Sequence, residues 1–215
     1  MGLLALLTAN REEQRLPDRL IDIALGLSVL SWAVLGLVRA DASVRMSLVR
    51  LAITLLNGTV GALFLMRGGI LRRAPLRALL LCLPSLVMSG VSLKLAAPEG
   101  FWPLYASAVF AVSGLFAVVS LVSLGRCFGL LPAVRGVATG GTYRFVRHPA
   151  YAGELGMVAA CALTSSRPMW AWSAAVSAAI LIALRIRVEE GLLSEVAEYR
   201  AYAARVRYRL LPGIW

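Results

Sequence analysis

Six apolar stretches separated by short polar links dominate this chain: near Leu20 to Val38, Leu48 to Met66, Ala78 to Leu95, Trp102 to Leu124, Tyr151 to Leu163 and Met169 to Val188. A helix needs roughly 20 apolar residues, about 17 to 25, to cross the hydrocarbon core of a bilayer. The pattern therefore predicts an all-α, polytopic membrane protein with about six spans. Composition agrees: 60% of the 215 residues are hydrophobic and 15% charged, with a mean hydropathy of +0.79, far from the balance of a soluble domain. The fifth stretch is short, and only TSSRP joins it to the sixth. These two are expected to form a tight helical hairpin. Residues 1–125 are read as N-terminal transmembrane helices and 126–215 as a loop, hairpin and C-terminal helix, all within one integrated membrane domain.

The formal charge is +11, and every basic residue except Lys94 is arginine. No soluble basic face, RNA-binding signature or zinc spacing accompanies that charge, which argues against nucleic acid as a partner. Arginine at membrane edges explains it, because positive charge accumulates on cytoplasmic loops. With the N-terminus inside, seventeen arginines fall on cytoplasmic segments, four basic residues (Arg39, Arg45, Lys94, Arg167) fall outside, and Arg50 lies within the second span. This predicts six spans with both termini cytoplasmic. The first residues, MGLLALLTANREEQRLPDR, lack a basic region ahead of the apolar start and are expected to form a short interfacial helix rather than a cleaved signal. Cys82, Cys127 and Cys161 are far apart and lie in or beside apolar runs, so packing is their expected role. A lone histidine does not supply the convergent ligands of most metal or bis-histidine haem sites.

Against this background the stretch TYRFVRHPAYAGE, residues 142–154, stands out. It gathers two arginines, the single histidine, a proline and two tyrosines just before an apolar segment, at the end expected to face the cytoplasm. Proline disfavours helix in the residue before it and suits the first helical turn, so His148 is expected to be extended and Pro149 to open the fifth helix. A helix N-terminus with Arg144 and Arg147 beside it suits a carboxylate or phosphate; lipid-headgroup contact is the plainer reading of the two arginines. A second group, Arg185, Arg187, Glu189 and Glu190, sits where the sixth span meets the same membrane edge. Arg185 and Glu189, four apart on one helix face, read as an ordinary exposed salt bridge worth about 0.3 to 0.5 kcal/mol. Ionisable groups at membrane depth, however, usually mark a function or a partner. Beyond them, Leu192, Leu193, Val196, Tyr199, Ala203 and Val206 form an apolar stripe at helical spacing, which predicts a continuing helix on the membrane surface or folded back over the protein.

The combination GGTYRFVRHPAYAG followed by VEEGLLSEVAEYRAYAARVRYRLLPGIW resembles the isoprenylcysteine carboxyl methyltransferase family and its bacterial relatives, which overlap with phospholipid N-methyltransferases. The resemblance covers residues from about 130 to 215, and departs from the family at Gly141-Thr142, where relatives often have a proline before the tyrosine. It implies a membrane enzyme, in a bacterial inner membrane, that uses S-adenosylmethionine without a soluble dinucleotide-binding fold. Carried over by position, Tyr143, His148, Pro149, Tyr151, Gly153 and Tyr199 would shape the cofactor site. Glu189 and Glu190 would bind the cofactor's cationic and hydroxyl groups, Glu189 being counted with Arg147 as catalytic, and Arg147 would hold the acceptor or its developing charge. The implied acceptor is a carboxylate, hydroxyl or amine on a lipophilic molecule. Two other readings stand beside this one: an NADPH-dependent lipid or sterol reductase, which shares similar C-terminal motifs, and a non-catalytic lipid-binding membrane protein.

Overall fold

The computed structural model describes residues 16–38, 47–213 and 215. The expected interfacial helix at the N-terminus, and Arg39 and Arg45 in the first link, lie outside the described residues. The elements run α1 (Leu16–Val38), α2 (Leu48–Met66), β1 (Arg72–Arg73), α3 (Leu76–Leu95), α4 (Leu104–Leu124), β2 (Ala133–Val134), α5 (Pro149–Thr164), α6 (Pro168–Leu193) and α7 (Ala197–Arg205), with single 3-10 turns at Glu99–Phe101, Gly125–Cys127 and Gly141–Arg144. Five helices, α1 to α4 and α6, are long and apolar enough to cross a membrane. This is an all-α integral membrane protein. The fifth apolar stretch becomes the 16-residue α5, about 24 Å of helix at 1.5 Å per residue, short of the roughly 30 Å core.

The helices pack in a sequence that follows space rather than chain order: α1 lies on α2, α2 on α4, α4 on α5, and α6 against both α5 and α3. Small residues permit the close contacts, as expected where lipid is as apolar as leucine and packing must draw helices together. At the α1–α2 crossing, a Cβ on Gly61 would come within 2.6 Å of Leu30 and 3.0 Å of the Gly26 carbonyl oxygen. Large apolar side chains such as Trp32, Leu104, Met169 and Trp170 project outward, the arrangement suited to lipid. Cys82 and Cys161 are buried among the helices and Cys127 is half-buried, all three as free thiols.

Arg50, expected within the second span, sits in the first turn of α2 and reaches out to Glu99 at 3.2 Å, where Ser47 also donates to Glu99. At the opposite end, Arg67 pairs with the buried Asp22 and lies over the Phe64 ring, tying α1 to α2. Strands β1 and β2 pair antiparallel, Arg72 with Val134 and Arg73 with Ala133. They fix the 128–138 loop across the arginine-rich end of the bundle.

The expected continuous C-terminal helix is broken. The chain leaves α6 at Ser194, whose hydroxyl turns back to the Gly191 carbonyl, and Val196 is extended before the nine-residue α7. The apolar stripe explains the break: Leu193, Val196, Ala203 and Val206 wrap round the buried tyrosines Tyr143, Tyr199 and Tyr202, a contact that a straight extension of α6 does not make. Past α7 the tail returns to the RHP segment, where the amide of Arg147 donates to the Tyr208 carbonyl (2.9 Å) and that of His148 to the Arg209 carbonyl (2.8 Å).

Candidate active site

His148 is non-helical (φ −131°, ψ 57°) and Pro149 occupies the first position of α5, as proline's fixed φ and missing N–H dictate. The turn before it bends at Gly141, whose φ of +58° lies in the left-handed region that glycine adopts without penalty. A Cβ there would also stand 2.3 Å from the Ser123 hydroxyl. The departure from the family pattern at Gly141-Thr142 thus has a local conformation of its own. Tyr143 follows, buried, its carbonyl accepting from the Tyr202 hydroxyl at 2.8 Å.

Two carboxylates that adjoin in sequence have separate surroundings. Glu190 is a hub: its Oε1 lies 3.2 Å from His148 Nε2, from the Tyr199 hydroxyl and from Arg147 Nε, and its Oε2 accepts from Arg209 Nε at 2.8 Å. The Arg147 contact is an ion pair without hydrogen-bond direction, so Arg147 Nε is buried with no hydrogen-bond partner. Glu189, in contrast, accepts from the Tyr151 hydroxyl (2.5 Å) and from Arg185 Nε (3.1 Å), both on Oε1. Its Oε2 has no partner among the described residues.

Arg185 is 2% exposed, not the surface cation expected from its place near the end of a span. It also donates to the Leu130 carbonyl, reaches Ser85 Oγ at 3.4 Å, and lies 5.0 Å over the Tyr151 ring. Desolvating two charges costs several kcal/mol per ion, and only such complete coordination makes the Arg185–Glu189 pair tolerable inside the bundle.

These groups face a cavity of about 630 Å³ enclosed by α2 to α6 and the 128–138 loop, within the range of about 300 to 1,000 Å³ of small-molecule sites. Tyr143, Arg147, His148, Tyr151, Glu189 and Tyr199 all line it. Along α4 the wall runs from Leu124 to Phe110, about 21 Å of helix axis, so the cavity passes from a polar rim into the apolar interior. Three expected site residues lie off its wall. Pro149 is buried at the start of α5; Glu190 stands behind the rim; Gly153 faces α4, where a Cβ would meet the Ser113 carbonyl at 2.7 Å and Ala117 at 2.8 Å. Burial holds the phenols of Tyr143 and Tyr199 well above the ordinary tyrosine range, helped by the negative Glu189 and Glu190 respectively. Both remain hydrogen-bond donors.

Residues 102–200 match the family model for phospholipid methyltransferases. This segment belongs to that family. The match starts before α4 and ends within α7, so it contains every expected site residue and extends the motif resemblance by a whole helix. The match covers a little under half of the chain and supports a membrane methyltransferase of the kind that acts on lipid-like substrates. No curated protein matches the chain. Sequence reasoning passed over Glu154 and Ser89, which also line the cavity with a hydroxyl-to-carboxylate bond of 2.7 Å. A lone acidic residue in the apolar run of α5 was the available signal.

Proposed function

We propose that the protein is an S-adenosylmethionine-dependent methyltransferase whose acceptor is a lipophilic molecule with its tail in the apolar part of the cavity and its polar end near Tyr151. The observation that carries this reading is the unpartnered Glu189 Oε2 on the wall of that cavity, inside a methyltransferase-family segment. A free carboxylate oxygen at a polar rim suits the ammonium, hydroxyls or sulfonium of that cofactor. Arg147, held by Glu190 through Nε, lines the same cavity and suits the cofactor's carboxylate with the rest of its guanidinium. When bound, the cofactor supplies a methyl group on a positively charged sulfur.

The chain's part is positional. Methyl transfer needs an aligned nucleophile in a site shielded from water. Arg185 orients Glu189 and Tyr151; Glu190 fixes Arg147 and His148; the tyrosine cluster and returning tail cover the rim. Arginine-rich loops on the rim side support a cytoplasmic rim, where soluble cofactor is present.

Calorimetry with S-adenosylhomocysteine and with NADPH tests the reading. The first should bind and raise the melting temperature, since a ligand at a hundredfold its Kd stabilises by about 2.7 kcal/mol, and the second should not. Comparable binding of NADPH would favour the reductase alternative, and no binding of either would leave neither enzyme.

A further inference from the structure

Glu154 lies one turn further along α5 than Tyr151, about 4.5 Å deeper in the bundle, and its exposed surface opens on the cavity. Among the described residues it forms no ion pair; Oε1 meets the Ser89 hydroxyl at 2.7 Å, and Oε2 has no partner. A polar or charged group in such surroundings is costly unless something completes its hydrogen bonds. Asn57 lines the same cavity from α2.

The Ser89 hydroxyl has two acceptors within reach, Glu154 Oε1 at 2.7 Å and the Ser85 carbonyl at 3.0 Å, but one proton to give. This geometry satisfies Glu154 in either protonation state. With Glu154 ionised, Ser89 donates to it; with Glu154 protonated, Glu154 donates to Ser89 Oγ and the serine hydroxyl turns to the Ser85 carbonyl. Charge points the same way. Arg185 is taken up by Glu189, the Leu130 carbonyl and Ser85, so an ionised Glu154 is the surplus negative charge of the inner cavity.

From this placement, and resting on the methyltransferase reading above, we infer that Glu154 receives the acceptor: it accepts the N–H or O–H of a lipophilic amine or alcohol, takes the proton that acceptor loses, and disfavours carboxylates. In the reaction the acceptor, an alcohol or an amine in its neutral form, uses its lone pair to form the new bond to the methyl carbon as the carbon–sulfur bond breaks, that bond's electrons remaining on sulfur. The acceptor's proton passes to Glu154 Oε2. The positive charge on sulfur and the negative charge on Glu154 are thereby cancelled together, and the net charge of a low-dielectric cavity is unchanged. A carboxylate acceptor has no proton to give and meets Glu154 as a like charge.

The test uses the full-length protein in lipid nanodiscs, with dodecylamine, dodecanol and dodecanoate as probes sharing one tail. Without cofactor, the amine and alcohol should bind at least about tenfold more tightly than the carboxylate, and Glu154→Gln should reduce that preference to about threefold or less, by the usual scale of a lost charge-assisted hydrogen bond. Single-turnover methylation of the alcohol should fall by about a hundredfold or more in Glu154→Gln, the contribution of a positioned base. Its S-adenosylhomocysteine affinity should stay within about threefold of wild type, because the rim is untouched. If the wild type binds S-adenosylhomocysteine yet prefers dodecanoate, or Glu154→Gln keeps both preference and rate, this assignment alone is overturned. Loss of S-adenosylhomocysteine binding in the variant would also overturn it, by showing that Glu154 serves the cofactor site or the fold. If the wild type fails to bind S-adenosylhomocysteine, the methyltransferase reading falls and this inference with it.

Discussion

Adjacent residues on a helix point about 100° apart, and at Glu189 and Glu190 that rotation separates two tasks. Glu189 faces the cavity with one oxygen free, whereas Glu190 has both oxygens engaged by Arg147, His148, Tyr199 and Arg209. Replacing Glu190 with glutamine should therefore act on stability, at about 1.5 to 3 kcal/mol for charge-assisted hydrogen bonds, seen as early melting without ligand. Glu189→Gln leaves the buried Arg185 without its counter-ion and so should melt early as well, by about 3 to 5 kcal/mol. It should in addition weaken S-adenosylhomocysteine binding roughly tenfold to a hundredfold, which Glu190→Gln should not. Equal melting losses in both variants, with normal affinity in both, would make the pair purely structural. Sequence put both glutamates at the same membrane edge but could not divide them, because the partners that distinguish them, Tyr151 and Arg209, are 38 and 19 positions away. The burial of Arg185 was illegible for the same reason: the Leu130 carbonyl that holds it belongs to a loop without helical or strand periodicity.

At the scale of elements, helix boundaries were legible wherever a single residue's chemistry sets them. Pro149 opens α5 as its chemistry predicts, Pro168, read as part of the link, turns out to open α6, and hydropathy located each span to within a few residues. The C-terminal region was legible only in part. Its apolar stripe does face inward, but three-dimensional packing around Tyr143 bends it into a short α7 and an irregular tail. That tail makes a testable contribution, since its carbonyls accept from the amides of Arg147 and His148 and Arg209 holds Glu190. Ending the chain after Val206 removes none of the cavity-lining residues, yet it should lower the melting temperature and weaken S-adenosylhomocysteine binding by about tenfold or more, on the scale of one lost charge-assisted hydrogen bond. An unchanged affinity, measured by calorimetry in the shortened protein, would show that the rim keeps its shape without the tail.

For the whole molecule, the path of the α5–α6 hairpin through the bilayer sets the geometry. Helix α6 has 26 residues, about 39 Å, and exceeds the hydrocarbon thickness; α5 at about 24 Å does not, and a local thinning of the bilayer or flanking polar side chains must make up the difference. Charge fits both a crossing and a re-entrant hairpin, so the side on which Ser166 emerges is what separates them. Seventeen arginines fall on one side of the six-span arrangement and four basic residues on the other, whereas a re-entrant hairpin puts Arg167 and its exposed neighbour Ser166 on the arginine-rich side. In a background with Cys82, Cys127 and Cys161 changed to alanine, Arg144→Cys and Arg205→Cys should react with an impermeant maleimide only from the cytoplasmic side, and Ser166→Cys only from the opposite side. The three positions are exposed, so reactivity reports sidedness rather than burial. Labelling of Ser166→Cys from the cytoplasm alone would make the hairpin re-entrant and leave four other helices to cross. The cavity would keep its walls in that case, but its deep end, near Cys161 and Phe110, would lie closer to the bilayer midplane and set how far an acceptor's tail reaches.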